Sequence, residues 1–429
     1  MAQDTPLTLR NEVMYSVFVR NFSPEGSFEG VRRSLERISA LGVDTIWLMP
    51  IHPVGESARK GSLGSPYAIR DYRAVNPEFG TPDDLRRLVD DIHALGMRCI
   101  IDVVYNHTSP DSVLAHEHPE WFYRGADGRP APRVPDWSDV VDLDYSSSPA
   151  LWDYQIETLR YWAELVDGFR CDVAPMVPLD FWLRARREVA EVRPGCLWLA
   201  ESFEPAFVRY NRAHSTPSLS DSELYRAFDL CYDYDMANSL IASVRDKSGL
   251  SNYASLLNLQ EGIYPANYAK LRFLENHDRP RAAFLIPNAR ALASWTAFLY
   301  FQRGTALVYA GQERGVQHLP SLFERDAVDW DGGIAELSPL MRSLYDLKKD
   351  PIFAQGAYSV SAHPGGVLSA EYTLPGRRLF GAFPTVPLPA LIETGLPDGQ
   401  YPDLLSGRTV EVCFGMVSTD GVPLVIGTP

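Results

Sequence analysis

Hydrophobic positions along the chain gather into about eight short runs, near residues 13–19, 45–49, 98–104, 165–171, 196–201, 227–231, 271–275 and 306–310. Helical stretches separate them. That alternation predicts an α/β chain, a parallel (β/α)8 TIM barrel whose strands deliver reactive side chains at their C-terminal ends. Helix signals fall in the intervals. Thr81-Pro-Asp-Asp-Leu supplies a threonine cap, a proline in the first position and an acidic first turn, and Leu95-Gly96 supplies the stop. The same signals predict helices over 27–42 and 148–165. Two stretches break the rhythm. Residues 108–148 are rich in Pro, His, Trp and Asp without periodicity, which predicts a long inserted loop, and such loops usually carry function. Beyond residue 349 short alternating runs with Gly and Pro turns predict a small all-β module over 350–429. The barrel is then made of 1–107 and 149–349.

Composition narrows the partners. The 429 residues suit a barrel of roughly 250 residues or more plus a smaller module. A net charge of −15 repels nucleic acid and anionic membrane surfaces, so neither is expected as a partner. The 11% aromatic share offers flat apolar faces with polar edges, suited to a neutral sugar. Five cysteines, three of them in strand-like runs (Cys99, Cys171, Cys196), predict free thiols and a reducing compartment. The N-terminal residues carry no signal-peptide pattern and no run is long enough to span a membrane, so a cytoplasmic location is the expectation.

Four acidic segments stand at predicted strand ends: Asp102-Val-Val-Tyr-Asn106-His107, Gly168-Phe-Arg170-Cys-Asp172, Leu197-Trp-Leu-Ala-Glu201 and Phe273-Leu-Glu-Asn-His277-Asp278. Arg170 and Asp172, two apart on a strand, share a face, so the arginine can hold the aspartate ionised as a nucleophile. An ordinary structural ion pair explains that segment equally well on its own. Glu201 ends the most apolar run, where desolvation raises a carboxyl pKa and keeps a general acid protonated. Such a pair is what a retaining glycosidase needs. Single His-Asp pairs are common on surfaces. All four segments at strand ends are much harder to place by chance.

In order, spacing and residue type the segments resemble the α-amylase family, glycoside hydrolase family 13, over roughly residues 10–345. The resemblance implies Asp172 as nucleophile, Glu201 as acid/base and Asp278 as transition-state stabiliser. It also implies that Arg170, His107 and His277 contact the sugar, that Tyr67 stacks on it, and that Asp102 is the structural aspartate of the first segment. Asn106 matches a calcium ligand of the family; the chemistry itself needs no cofactor. Residues 108–148 would be the family's domain B and the tail its β-sandwich domain C. Val141-Asp142-Leu-Asp144 and Gly311-Gln-Glu agree with the same alignment.

The resemblance implies a retaining hydrolase of α-1,4-glucosidic bonds in maltooligosaccharides or starch. An α-glucosyltransferase or an α-glucosidase uses the same carboxylates, and a non-catalytic sugar-binding relative shares the fold. The chain departs from many starch-cleaving enzymes after the nucleophile, where Val173-Ala-Pro175-Met176 replaces a Lys-His pair. His116, His118 and Asp111 in the insert follow no standard zinc spacing.

Overall fold

A computed structural model describes residues 2 and 4–428. Eight parallel strands close into a barrel in sequence order: β1 (Val13–Val17), β2 (Thr45–Leu48), β3 (Arg98–Val103), β4 (Gly168–Cys171), β5 (Leu197–Ala200), β6 (Leu230–Tyr232), β7 (Ala269–Arg272) and β8 (Thr305–Tyr309). Helices between strands pack around them, which is why almost every strand position is buried. The helix predicted after Thr81 spans Pro82–Ala94 with a capping box between Thr81 and Asp84. The one expected over 27–42 is broken into Phe28–Arg32 and Leu35–Ala40. The one expected over 148–165 spans Pro149–Ala163.

One strand lies earlier than its apolar pattern suggests. The run at 271–275 is mostly loop, and β7 begins at Ala269 with two charged residues, Lys270 and Arg272, buried within it. Each is neutralised there. Lys270 pairs with Asp221 and with Asp235 at 2.8 Å, and Arg272 pairs with Asp233 at 2.8 Å. Buried charges persist only with such partners, and they hide a strand from any reading of hydrophobicity.

The insert after β3 forms a two-residue ribbon, His107–Thr108 against Val141–Asp142, with a short helix Val113–Glu117 between. The tail builds a four-stranded antiparallel sheet in the order Ala357–His363, Val367–Leu374, Arg377–Pro384, Leu424–Gly427. Two ribbons lie over it, and Val367, Phe380, Ile426, Ile392 and Val417 make a small core between the layers. Among the described residues no helix is long and apolar enough to cross a membrane. All five cysteines are free thiols, four of them buried.

Candidate active site

Barrel register sets the site. Asp102 on β3 lies opposite Arg170 on β4, and Cys171 lies opposite Ala200 on β5. The next residues, Asp172 and Glu201, therefore leave neighbouring strands side by side. Their backbones extend the ladder beyond the strand ends: Asp172 N–H donates to Val103 O at 2.9 Å, and Glu201 N–H to Cys171 O at 3.0 Å. Both carboxyls are thus placed by strands rather than by a loose loop.

Arg170, fully buried, is the centre of the arrangement. Its Nη1 donates to Asp102 Oδ1 at 2.8 Å and to Asp172 Oδ1 at 2.7 Å, while Nη2 lies 3.0 Å from Glu201 Oε2. Trp47 and Tyr232 flank the guanidinium at 5.2 and 5.3 Å from their ring centroids, and its Nε donates to the Tyr232 hydroxyl at 3.2 Å. One cation thus faces three buried carboxyls. Burial pushes all three upward, Asp102 and Asp172 to about 7 and Glu201 to about 8, with Arg170 pulling each back. Glu201 holds its proton most strongly.

Val173 adds an unexpected element. Its φ of 37° lies in the left-handed region, which a β-branched residue rarely enters and which costs it roughly 1–3 kcal/mol. That turn aims its N–H at Glu201, donating to Oε2 at 2.8 Å. Strain after the nucleophile strand is therefore used to orient the acid.

On the opposite side the Tyr67 hydroxyl lies 2.7 Å from His277 Nε2 and donates to Asp102 Oδ2 at 3.2 Å. Burial lowers His277 to about 4, so the ring is neutral at pH 7, and its Nε2–H is the donor to Tyr67. The two rings stack within 17°. His107 is also pulled down by burial; Nδ1 receives the Asn106 amide at 3.2 Å, which leaves the proton on Nε2, 3.8 Å from Asp172 Oδ2. Asp278 is the most open of the carboxylates, 39% exposed, with the Tyr234 hydroxyl donating to it at 3.4 Å.

These groups open on one cavity of about 530 Å³. Tyr67, His107, Asp172, Glu201, His277 and Asp278 all line it, whereas Asp102 and Arg170 lie beneath its floor. Past Glu201 the wall is apolar, made of Val173, Phe203 and Phe207, with Glu204 paired to Arg279 at 2.5 Å. Towards Tyr67 the wall is tied by polar contacts. Lys60 pairs with Asp139 of the insert at 2.8 Å, Leu63 N–H donates to Phe323 O at 3.0 Å, and Ser62 bonds to Glu324. Three loops are thereby joined along that side.

Asn106 lies outside the cavity lining. Its amide faces His107, and the nearby Asp142 carboxylate is engaged by Arg133, through the backbone N–H at 3.1 Å and the guanidinium at 3.5 Å. Arg133 also donates to Leu143 O at 3.1 Å. An oxygen shell of about six to eight ligands is not assembled there, and the cationic charge comes from Arg133. These residues do not fit a calcium ion. His116, His118 and Asp111 form no metal cluster, nor does any other group of three or more His, Cys, Asp or Glu among the described residues.

The family model described as alpha amylase, catalytic domain, matches residues 9–132 and 135–338, and that of the bacterial alpha amylase C-terminal domain matches 359–426. The chain belongs to the α-amylase family. An α-amylase structure from Lactobacillus plantarum is 46% identical, with a TM-score of 0.96 over 99% of this chain and 100% of that one. A noncanonic maltogenic α-amylase of Thermotoga neapolitana is 34% identical, with a TM-score of 0.86 over 98% of this chain and 99% of that one. The α-amylase MalA of Haloarcula japonica is 27% identical over 81% of this chain and 50% of its own length, so the chain spans about half of that curated relative.

Sequence reasoning reached the family's four segments but missed the residues around them. Trp47 and Tyr232, which sandwich Arg170, read as ordinary core aromatics. Lys60, Asp139 and Arg279 sit on loops with no periodic signal, and Phe207 lies on the short helix Pro205–Ala213. The high aromatic share pointed at most to rings such as Phe207.

Proposed function

We propose that the protein is a retaining hydrolase of α-1,4-glucosidic bonds in maltooligosaccharides or starch. The observation that carries this reading is the sharing of Arg170 by Asp172 and Glu201 at the floor of one cavity that Asp278 also lines. Contact of both carboxyls with the one Arg170 guanidinium, at 2.7 and 3.0 Å, sets them close together and so supports retention over inversion, which leaves roughly 6.5–9.5 Å for water. Likeness to the Lactobacillus α-amylase and the Thermotoga maltogenic α-amylase supports the α linkage.

In this reading the sugar ring rests between Tyr67 and Asp172. Protonated Glu201 gives its proton to the glycosidic oxygen as the bond from that oxygen to the anomeric carbon breaks. Asp172 attacks the same carbon through Oδ2, since Oδ1 is occupied by Arg170, and a β-glycosyl ester forms. Glu201, now ionised, takes a proton from water; the water oxygen bonds to the anomeric carbon and the ester bond breaks. Two inversions return the α configuration. Asp278 offsets positive charge on the ring in both transition states. His107 donates from Nε2 to a sugar hydroxyl, while neutral His277 holds Tyr67 in place through its Nε2–H. Four buried free thiols support a reducing, cytoplasmic location.

The test is hydrolysis of maltoheptaose followed by proton NMR and chromatography. Expected are shorter products only, released first as α-anomers, and rates lowered by several orders of magnitude in Asp172→Asn and Glu201→Gln. Initial β-anomers would remove the retaining mechanism. Elongated products would assign the site to glucosyl transfer.

A further inference from the structure

We propose that Tyr234, the first residue of the helix Tyr234–Arg245 after β6, is a positioning residue that holds Asp278 in place for the sugar, and that the buried charges of β7 fix its place. This rests on the functional reading above, which gives Asp278 its part in the transition states.

The Tyr234 hydroxyl is aimed by its neighbours. Asp278 N–H is an obligatory donor and bonds to Asn276 Oδ1 at 2.9 Å, which settles which end of that amide is oxygen. The amide nitrogen of Asn276 then donates to the Tyr234 hydroxyl at 3.1 Å. With one lone pair taken, the hydroxyl turns its own proton to Asp278 Oδ2, 3.4 Å away. His277 Nε2 lies 3.1 Å from the same oxygen, but its proton goes to Tyr67. Burial lifts the Tyr234 phenol well above its ordinary range, so it remains a donor. At 3.4 Å the bond is long for O–H···O, and bonds of this kind tighten once the substrate is in the site. A bonded hydroxyl is ordinary for any buried tyrosine. Here the chain of donors ends on a carboxylate that lines the cavity, and Tyr234 lines it too.

The ring is confined on three sides. Tyr232 meets it edge-on at 5.1 Å and Phe273 at 5.5 Å, and the Arg279 guanidinium lies 4.9 Å from its centroid. Both chain neighbours are clamped as well. Asp233 pairs with Arg272 at 2.8 Å and accepts from the Gln260 amide at 3.0 Å. Asp235 pairs with Lys270 at 2.8 Å and accepts from the same amide and from the Tyr264 hydroxyl, each at 2.8 Å. Lys270 and Arg272 belong to β7, and Asn276 and Asp278 follow from its end. One strand therefore carries Asp278 and, through two buried ion pairs, fixes the residue that orients it. Such pairs are weak sources of stability because of their desolvation, so their value here lies in geometry.

The experiment is a double-mutant cycle on maltoheptaose with wild type, Tyr234→Phe, Asp278→Asn and the double variant. Tyr234→Phe keeps the ring and its packing, so Tm and KM should stay near wild type while kcat falls by about tenfold, the size of one hydrogen bond to a charged group. In the Asp278→Asn background the same change should alter kcat by less than about twofold. A tenfold loss in both backgrounds would overturn the assignment. So would a raised KM at unchanged kcat, which would make Tyr234 a plain sugar contact. Calorimetric binding of acarbose, a cationic sugar mimic, gives a readout independent of turnover. Failure of the wild type to hydrolyse maltoheptaose would remove the hydrolase reading alone. Acarbose should then still bind Tyr234→Phe about tenfold more weakly than wild type, and bind Asp278→Asn and the double variant alike. Equal affinity for wild type and Tyr234→Phe, or no binding to either, sinks the role.

Discussion

Arg170 Nη2 lies 3.0 Å from Glu201 Oε2 while its Nη1 donates to Asp172 at 2.7 Å, so the proposed acid and nucleophile share one cation. A single positive charge cannot fully compensate Asp102, Asp172 and Glu201 together. The group with the highest proton affinity keeps its proton, and that group is Glu201. Division of labour between acid and nucleophile follows from counting charges around one guanidinium.

Removing that charge should therefore damage both rate and stability. Arg170→Ala leaves buried carboxyls without a partner, with an expected loss of roughly 3–5 kcal/mol in unfolding free energy. Activity on maltoheptaose should fall by at least about 10³-fold, since the nucleophile then takes up a proton at pH 7. Urea unfolding and initial rates measure the two effects. A variant with wild-type rates would disprove the shared-cation arrangement.

The same groups set a pH dependence. Asp172, raised to about 7, must be ionised to attack, and Glu201, raised to about 8, must be protonated to donate, so kcat/KM should peak between about 7 and 8 and fall on both sides. Stability follows the proton count. Glu201 has an ordinary value of 4.5 when unfolded and binds its proton more tightly when folded, so its stabilising contribution is complete below 4.5 and is lost as pH rises towards 8. Glu201→Gln should flatten the decline in Tm between pH 5 and 8 and lower kcat by about 10²–10⁴-fold. An unchanged Tm slope would argue against a protonated Glu201.

Much of this was legible in the chain because barrel strands ending in carboxylates combine two strong signals, a buried run and a charge at its edge. Asp172 and Glu201 directly follow mostly apolar strands, and Asp102 lies near the end of another, so each stands out in the sequence. β7 was misplaced for the opposite reason. Lys270 and Arg272 interrupt its apolar pattern, and their partners Asp221, Asp233 and Asp235 come from distant sequence. Val173 gave no hint of its left-handed backbone, since valine is among the residues least expected there. Cavity walls were the least legible. Lys60 and Asp139 are 79 positions apart and meet only because the insert folds back over β2 and its loop.

That meeting has a consequence for products. The Lys60–Asp139 pair lines the cavity and ties the insert to the loop after β2, but with Lys60 37% exposed it adds at most about 1 kcal/mol to stability. Lys60→Ala should leave Tm nearly unchanged while loosening the wall beside Tyr67. The expected result is a broader product distribution from maltoheptaose, read by chromatography. An identical distribution would show that the pair does not bound the sugar site.

Around Asn106 the charge that a metal would bring is already supplied. The Asp142 carboxylate is buried, is raised in pKa by that burial, and is reached by Arg133 from the same insert, whose guanidinium packs over Tyr123 at 4.4 Å. Loss of Arg133 would leave Asp142 without its cation and Leu143 O without its donor, an expected cost of roughly 1–3 kcal/mol. Chelation should cost nothing, because Arg133 already supplies the positive charge beside Asp142. Thermal unfolding with EDTA, with added calcium, and in Arg133→Met measures both effects. The expected order is an unchanged Tm with EDTA and a lowered Tm in the variant. A Tm that drops with EDTA and returns with calcium would mean that Asn106 belongs to a metal site after all, and that Arg133 moves aside to admit the ion.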